Sequence, residues 1–382
     1  MSQIRRAHSS APDARTAVRE LHRDLLQSDT ELVLFFCSSS YDLDELADEI
    51  NRLFGKVTVV GCTTAGEIGP LGYRDRSLSG VSFPAGTCTA VTAGLDELKD
   101  FSIARGKGIA QSLLQRLEQR APGAGVGNSF GFLLIDGLSI REEPVTRTLQ
   151  AALGDIPLFG GSAGDDLKFE RTCVFHDGRF SSDSAVLVLV STSLPFRTFK
   201  TQHFVSLDER LVVTEADADR RVVREINGLP AAEEYARLIG VNPDQLDPAH
   251  FAASPVVVVI DGTDYVRSIQ RADADGSLTF YCAIDEGLVL RVARGTGLVS
   301  NLEKTLQDLK EEIGPPQLLL TCDCILRNLE ISQDGSKAAV ESLLALNNAV
   351  GFSTYGEQYG GVHVNQTLTG IAIGSDERQH GE

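Results

Sequence analysis

The amino-acid sequence predicts an α/β protein with mixed sheets, because a strand–loop–helix–strand unit occurs three times along the chain. Each copy ends in a glycine-containing loop, and strand-like segments follow each loop. The chain has 382 residues, of which 42% are hydrophobic, enough to bury the cores of two lobes. We therefore expect a two-lobed α/β architecture in which the repeated unit is the main structural element.

The three copies follow one plan. In each, a buried strand leads to an amphipathic helix and then to a second strand that runs into the glycine loop. The predicted first strand, helix and loop-bearing segment lie at residues 32–37, 42–53 and 57–67 in the first copy, 130–136, 144–153 and 156–166 in the second, and 317–322, 337–346 and 350–357 in the third. The uneven spacing of the copies indicates an ancient duplication inside a compact fold and not a solenoid.

The domain organisation follows from a change of pattern after the second copy. Two strand-like runs around a polar turn are followed by Asn227-Gly228 and a helix that opens at Pro230, as proline favours the first helical turn. We expect an N-terminal extension at 1–29, an N-terminal domain at 30–226 and a C-terminal domain at 227–376.

Composition excludes several classes of function. Thirty-five basic and fifty-three acidic residues give a formal net charge of −18, which disfavours nucleic acid as a partner. The longest apolar runs are strand-sized, and the N-terminus lacks the apolar core of a secretory signal, so we expect a cytoplasmic protein that is not inserted in a membrane. The seven cysteines lie mostly in apolar surroundings, which indicates buried thiols without structural disulfides.

The glycine loops allow two interpretations. Each follows a strand, and ligands of open α/β sheets bind at the carboxyl ends of strands. None matches a dinucleotide or P-loop fingerprint. The loops are either turns, with Gly66, Gly164 and Gly356 supplying backbone freedom and Glu67, Asp165 and Glu357 bonding to backbone, or a ligand site. In the second case the hydroxyls of Thr63, Thr64, Ser162, Ser353 and Thr354 would face a polar ligand.

Catalytic signatures are weak. Residues 160–164 match the letters of G-x-S-x-G, but strand-like sequence follows where a nucleophile elbow requires a helix. Cys322-Asp-Cys324 has no second cluster with which to complete a zinc site. We expect a protein that is not an enzyme.

Among the histidines, His203 lies near the predicted domain boundary with Phe199 and Phe204 beside it, His363 alternates with two valines, and His176 precedes a turn. By residue type alone, each is more often a hydrogen-bonded structural histidine than a metal ligand.

Two segments carry a resemblance to a known family. VVGCTTAGEI at 59–68 and VGFSTYGEQYGGVHVNQTLTGIAIG at 350–374 resemble the signatures of FIST N-terminal and C-terminal domains, and residues 198–240 resemble the join between them. The resemblance covers about residues 30–375. It implies a bacterial sensory module that binds a small molecule and works alone or beside histidine kinases and cyclic-di-GMP enzymes.

A stand-alone FIST protein of this length is similar to the nitric-oxide-sensing NosP subfamily. That resemblance implies haem b, bound non-covalently because no C-x-x-C-H is present, and control of a separately encoded histidine kinase or cyclic-di-GMP enzyme. His203 is then the expected iron ligand, beside Phe199 and Phe204, with Arg210 at a haem propionate; His363 and His176 are alternative ligands. A homodimer is compatible with this class.

The alternative is a haem-free FIST module that binds a small polar metabolite, such as an amino acid, in the cleft of the glycine loops. The residues expected to contact such a ligand are Thr63, Thr64, Gly66, Ser353, Thr354 and Glu357.

Overall fold

A computed structural model of the chain describes residues 3–260 and 262–375. Three six-stranded mixed sheets and a further eight-stranded sheet account for its strands, and helices cover the outer faces of the six-stranded sheets. The predicted mixed α/β class with a recurring strand–helix–strand unit is confirmed. Within these residues no helix is both long and apolar enough to cross a bilayer.

The helices, in chain order, are α1 (Ala14–Leu25), α2 (Leu43–Phe54), α3 (Ile103–Arg120), α4 (Glu142–Leu153), α5 (Ala231–Ile239), α6 (Pro248–Ala253), α7 (Leu298–Ile313), α8 (Ile325–Gln333) and α9 (Lys337–Leu346).

The strands of the three six-stranded sheets and their hairpins are β1 (Arg5–Ser9), β2 (Thr30–Ser38), β3 (Thr58–Thr64), β4 (Glu67–Gly69), β5 (Gly72–Arg74), β6 (Leu78–Pro84), β7 (Cys88–Leu95), β8 (Ser129–Ile135), β9 (Leu158–Ser162), β10 (Val174–His176), β11 (Arg179–Ser181), β12 (Ala185–Thr192) and β13 (Phe196–Thr201) in the first half of the chain. The strands that follow are β14 (Phe204–Asp217), β15 (Val222–Ile226), β16 (Leu229–Pro230), β17 (Val256–Ile260), β18 (Thr263–Arg267), β19 (Ile269–Ala272), β20 (Leu278–Phe280), β21 (Val289–Gly295), β22 (Leu318–Cys324), β23 (Ala349–Thr354), β24 (Glu357–Tyr359), β25 (Val362–Val364) and β26 (Leu368–Ile373).

Each copy of the repeated unit forms a parallel pair of strands. β2 pairs with β3, β8 with β9 and β22 with β23; one helix connects the strands in the first two copies, and two helices, α8 and α9, connect them in the third. An antiparallel strand flanks the first member of each pair: β6 in the first copy, β12 in the second and β26 in the third. The unit therefore has the same topology three times.

The copies exchange hairpins around a closed ring. The β4–β5 hairpin of the first copy pairs with β23 of the third, the β24–β25 hairpin of the third pairs with β9 of the second, and the β10–β11 hairpin of the second pairs with β3 of the first. Each copy thus completes the sheet of another. This arrangement gives the body of the molecule an approximate threefold symmetry.

The core of this body lies where the inner faces of the three sheets meet. Phe36 of the first sheet stacks on Phe352 of the third at 4.6 Å between ring centroids, and Phe132 of the second lies 6.5 Å from Phe36. The outer faces are covered by helix pairs, α1 and α2, α3 and α4, and α7 and α9. Apolar side chains on both faces explain why the strands read as continuous hydrophobic runs.

The eight-stranded sheet forms a separate lobe with its own core, inserted between the second and third copies. It runs from β14 to β21, carries α5 and α6, and buries Tyr235 and Phe251 beneath the sheet. The chain passes into this inserted lobe after β13 at His203 and returns to the body at Thr296, where the backbone N–H of Thr296 donates to the carbonyl of His203 at 2.7 Å.

Candidate functional site

The three glycine loops meet at the carboxyl ends of the parallel strands and hold one another by backbone hydrogen bonds. Ala65 donates to the carbonyl of Ser353 at 3.0 Å, and Ser353 donates to that of Gly66 at 2.7 Å. Each of the other two loop pairs is joined by equivalent bonds, with Tyr355 donating to Ser162 at 3.3 Å and Gly164 donating to Thr63 at 3.0 Å. The loops therefore form a closed backbone ring about the threefold axis.

A buried glutamic acid follows the first loop. Oε2 of Glu67 accepts from the hydroxyl of Ser77 at 2.6 Å and from its backbone N–H at 3.1 Å, while Oε1 meets the hydroxyl of Thr64. That hydroxyl also lies 3.2 Å from the carbonyl of Cys37. A single hydroxyl proton serves one acceptor only, so a protonated Glu67 satisfies this set best. Burial accordingly raises the pKa of Glu67 to about 8.

The third copy repeats this arrangement. Oε2 of Glu357 accepts from the hydroxyl of Thr367 at 2.7 Å, and Oε1 pairs with the hydroxyl of Thr354. Burial raises the pKa of Glu357 to about 8 as well. Both carboxyl groups are inaccessible to solvent, and each ties its loop to the turn that follows it.

The second copy uses an aspartate in a different way. The carboxylate of Asp165 accepts from three consecutive backbone N–H groups, those of Phe169 at 2.9 Å, Glu170 at 2.8 Å and Arg171 at 2.9 Å. The hydroxyl of Tyr355 in the third loop donates to the same carboxylate. Asp165 thus joins the second loop to the third.

The loop hydroxyls that were predicted to contact a ligand form hydrogen bonds with other protein groups in and around the ring. Oγ1 of Thr63 accepts from the backbone N–H of Cys173 at 3.0 Å, Oγ of Ser353 accepts from the Asn328 amide at 3.1 Å, and Oγ of Ser162 accepts from the Gln358 amide at 2.9 Å. These side chains, with Thr64 and Thr354, are fully buried. The geometry therefore favours the architectural interpretation of the loops for these residues.

An open cleft of about 980 Å³ lies directly outside this ring. The first loop contributes Ala65 to it, and α8 forms one wall. Its lining residues are Ser10, Pro12, Ser40, Tyr41, Ala65, Asp75, Arg76, Asp166, Leu167, Lys168, Ile325, Asn328, Leu329, Ser332 and Lys337. A volume of this size is typical of sites for small molecules, and its position at strand carboxyl ends agrees with the usual location of ligands in α/β proteins.

The charges in the cleft fall into two groups. Asp166 is already satisfied, because it accepts from Ser39 at 3.0 Å and lies 3.7 Å from the Lys168 ammonium. Asp75 and Arg76 differ, since neither side chain has a hydrogen bond or ion pair within the part of the chain that the structure describes. One unpaired anion and one unpaired guanidinium therefore face the same cavity.

The sequence interpretation missed the residues that define the cleft. Asp75 and Arg76 lie in the turn after the β4–β5 hairpin, and Asn328 lies on α8, a helix that occurs between strand and helix in the third copy only. The sequence did carry a signal for this site. Asp75 in the first copy and Asn365 in the third occupy equivalent positions, and each lies against the glycine of its own loop, Gly66 or Gly356. A comparison of the copies position by position would have found it.

Of the residues predicted around a haem, Phe204 contacts His203, whereas Phe199 and Arg210 lie elsewhere. Nε2 of His203 is 2.8 Å from Oε1 of Glu330, and its ring packs on Phe204 at 4.2 Å. Phe199 packs instead in the core beneath α7. Arg210 is six residues further along β14 than Phe204, or about 20 Å at the rise of a strand.

The cavities described for this chain do not include His203 in their lining. As folded here, these residues do not fit a haem, and haem binding stays a prediction.

The two alternative ligands are also engaged. Nδ1 of His363 lies 3.2 Å from Nε2 of Gln358, and burial lowers the pKa of His363 to about 4. Its Nε2 points at Gly356, where even a Cβ atom would lie within 2.6 Å. His176 bonds to Thr92 at 3.1 Å and lines a cavity of only about 130 Å³. Neither ring has room for a haem beside it in this arrangement.

Comparison with known proteins places the chain in a family of sensors. The FIST N domain matches residues 31–229 and the FIST C domain matches residues 231–360. The chain therefore belongs to the FIST family, whose domains are sensors of signal transduction, and the predicted resemblance is confirmed. Membership of the nitric-oxide-sensing subfamily stays a prediction.

Two individual proteins are similar to the chain. The uncharacterized protein MJ1623 of Methanocaldococcus jannaschii is 22% identical over 89% of this chain and 73% of its own length. A solved structure described as "Cyanuric acid hydrolase: evolutionary innovation by structural concatenation" aligns over 97% of this chain and 99% of that one, at 9% identity and a TM-score of 0.38. A likeness so distant assigns no chemistry to the cleft.

Proposed function

We propose that this FIST protein senses a small, charged, polar metabolite that binds in the cleft beside the first glycine loop, and that it acts without catalysis. The observation that carries the proposal is the pair of unpaired charges, Asp75 and Arg76, facing one cavity of about 980 Å³. A ligand that brings a positive and a negative group satisfies both side chains at once.

An amino acid is the ligand class that suits these charges. Its ammonium group would pair with Asp75, and its carboxylate with Arg76 or with Lys337, which also lines the cleft. Hydroxyls of Ser10, Ser40 and Ser332 offer further hydrogen bonds around it. The cavity is larger than one amino acid, so a longer zwitterion or a short peptide would also fit.

The absence of catalysis is supported by the chemistry of the ring. Ser162, the serine of the G-x-S-x-G match, is buried and hydrogen-bonded to Gln358 at 2.9 Å. The segment after it continues as a loop tied to Asp165, whereas a nucleophile elbow leads into a helix. A buried hydroxyl without an adjacent base is a poor nucleophile.

A sensor also needs an output. We expect occupancy of the cleft to shift the protein between two conformations that a separately encoded histidine kinase or cyclic-di-GMP enzyme distinguishes, with the protein acting as a monomer or a homodimer. The ligand must bind the two conformations with different affinities, because equal affinities would shift nothing.

Calorimetric titration of the full-length protein with each of the twenty L-amino acids tests the proposal. We expect saturable binding of at least one, and Asp75→Asn and Arg76→Gln should each weaken it about tenfold or more, the loss of one charge-assisted hydrogen bond. Asp308→Asn, which removes an exposed carboxylate of α7, is the matched control. Equal affinity in the control and the cleft variants would exclude this site.

The haem hypothesis keeps one point in its favour, which is that His203 is buried beside Phe204 where the chain passes into the inserted lobe. It requires His203 to release Glu330. A visible spectrum of the purified protein before and after addition of haemin decides the matter. A Soret band that nitric oxide shifts in the wild type, and that His203→Ala removes while His363→Ala keeps it, would favour haem over the amino-acid proposal.

A further inference from the structure

Helix α8 has three faces, which contact the cleft, the body of the molecule and the inserted lobe. The first faces the cleft with Ile325, Asn328, Leu329 and Ser332. Asn328 also donates to the hydroxyl of Ser353 at 3.1 Å, so this face contacts both the cavity and the glycine-loop ring. A ligand in the cleft would therefore meet α8 directly.

The second face anchors α8 in the body. Nη1 of Arg327 lies 2.9 Å from both carboxylate oxygens of Asp323, which also accepts from the hydroxyl of Tyr73. Arg327 is buried, and its Nε and Nη2 atoms have no partner among the described residues. The anchor is therefore only partly satisfied.

The third face reaches the inserted lobe. Oε1 of Glu330 is 2.8 Å from Nε2 of His203, and the carbonyl of His203 accepts from the N–H of Thr296 at 2.7 Å and from its hydroxyl at 2.8 Å. His203 and Thr296 are the points at which the chain leaves and rejoins the body. Glu330 thus bonds to the two-stranded connection of the lobe.

Apolar packing extends the same contact. Ile325 and Leu326 of α8 share one buried cluster with Ala252 of α6 and Tyr281, both in the inserted lobe, and with Ala65 of the first glycine loop. A displacement of α8 would therefore change the surroundings of loop and lobe together, because close-packed interiors do not absorb such shifts locally.

We infer that α8 transmits occupancy of the cleft to the inserted lobe, and that the Glu330–His203 hydrogen bond is the connection through which the lobe responds. The inference rests on the proposed ligand site. Oε2 of Glu330 is buried without a partner among the described residues, as are the two nitrogens of Arg327 one turn away. Buried polar groups that lack partners carry a free-energy cost, and a movement of α8 that gave them partners would relieve it.

The test compares hydrogen–deuterium exchange of β14 and β21 in the full-length protein with the cleft empty and filled. Ser332→Trp places an indole in part of the cleft without any ligand, since Ser332 is exposed and lines it. The twenty L-amino acids provide the ligand arm. We expect exchange in β14 and β21 to change at least threefold on filling, and we expect Glu330→Gln to reduce that change to less than half.

Two further variants make the test specific. Glu303→Gln removes an exposed carboxylate of α7 and should leave the response intact. Thr296→Val keeps the side-chain shape but removes the hydroxyl bond to His203, and should weaken the response in a chain with an otherwise intact Glu330–His203 pair. It decides the matter if Glu330→Gln fails to fold.

The outcomes separate the two proposals. Binding of an amino acid without a change in β14 and β21, or a full response in the Glu330→Gln and Thr296→Val variants, overturns the transmission by α8. Failure of every amino acid to bind, with a clear response to Ser332→Trp that Glu330→Gln reduces, overturns the proposed ligand and supports the transmission. No response to either Ser332→Trp or a bound amino acid overturns the transmission.

Discussion

The first and third copies of the repeated unit place the same hairpin in opposite surroundings. In the first, Asp75 and Arg76 follow the hairpin and face an open cleft. In the third, Asn365 and Gln366 occupy these positions and are completely buried, and the Gln366 amide donates to the carbonyl of Ala252 in the inserted lobe at 2.8 Å. Charged residues therefore mark the open site, and neutral amides mark the site that another part of the chain covers.

The physical reason is the cost of burying charge. Burying an uncharged amide costs a few kcal/mol, which hydrogen bonds such as those of Gln366 offset, whereas burying an unpaired charge costs far more. The same backbone framework is thus open to a cleft in the first copy and covered by the inserted lobe in the third, and the two side chains after the hairpin suit these surroundings.

The largest effect is expected where the inserted lobe is fastened to the second copy. Nη2 of Arg221 lies 2.7 Å from Glu142 and 2.6 Å from Glu143, all three largely buried. Arg221→Met leaves two carboxylates without their counter-charge and should lower the free energy of unfolding by about 3 kcal/mol or more in urea denaturation. Arg220→Met, at an exposed neighbour, is the control. A loss below about 1 kcal/mol would show that the lobe is held by other contacts.

The second-largest effect is a difference in stability between alanine substitutions at Gly356 of the third loop and at Gly66 of the first. A Cβ at Gly356 would lie 2.3 Å from Cε1 of His363, a ring fixed in the interior, whereas at Gly66 the nearest atom is a carboxylate oxygen of Asp75 at 3.3 Å, on a side chain that is free to move. Gly356→Ala should therefore cost about 3 kcal/mol of stability.

Gly66→Ala should cost about 1 kcal/mol, because its positive φ of 123° still disfavours alanine. Thermal unfolding of both variants in one buffer measures the difference, and equal losses would contradict the contrast between an open and a covered copy.

How much of this was predictable from sequence depends on the range of the interactions. The helices predicted at 42–53, 144–153 and 337–346 lie within two residues of α2, α4 and α9, because apolar spacing is a local signal. The exchange of hairpins between copies has no such signal. β4 pairs with β23, almost three hundred residues away, through backbone groups that every sequence carries.

The position of the candidate site could be predicted from local sequence signals, but the side chains that line it could not, because they depend on long-range contacts. Its place at the glycine loops followed from strand order, but the loop hydroxyls turned inward. Thr63 accepts from the backbone N–H of Cys173 in the second copy, and Ser353 accepts from the side-chain amide of Asn328 on α8. Phe199 and Phe204 are near in sequence to His203, yet they pack in two different clusters, since the chain leaves the body between them. Their nearness in sequence predicted one pocket, but the structure places the two rings in different parts of the fold.

The first and third copies each contain a buried glutamic acid after the glycine loop, which predicts that both contribute the same pH dependence to the stability of the fold. The pKa of Glu67 and of Glu357 rises from 4.5 to about 8 on folding because burial disfavours the charged form. The folded state therefore binds more protons than the unfolded state between pH 4.5 and 8, and stability falls as pH rises through this window.

Each residue should contribute a slope of about 1.4 kcal/mol per pH unit. Glu67→Gln and Glu357→Gln should each remove one such slope from denaturation curves recorded between pH 5 and 8, while Glu303→Gln should not. An unchanged slope in either variant would mean that its carboxyl is ionised in the fold.

The smallest expected effect is on stability and concerns Gln366 and Arg76, the residues that follow Asn365 and Asp75 in the two copies. Gln366→Ala removes the bond to Ala252 and a weaker one from Ser268 at 3.4 Å, so it should lower stability by about 1 to 2 kcal/mol. Arg76→Ala, at the equivalent place in the open copy, removes no bond within the described residues and should change stability by less than about 0.5 kcal/mol. Urea denaturation resolves the two. If Arg76→Ala were the more destabilising, the guanidinium would be supporting the fold, and the case for reserving it for a ligand would fail.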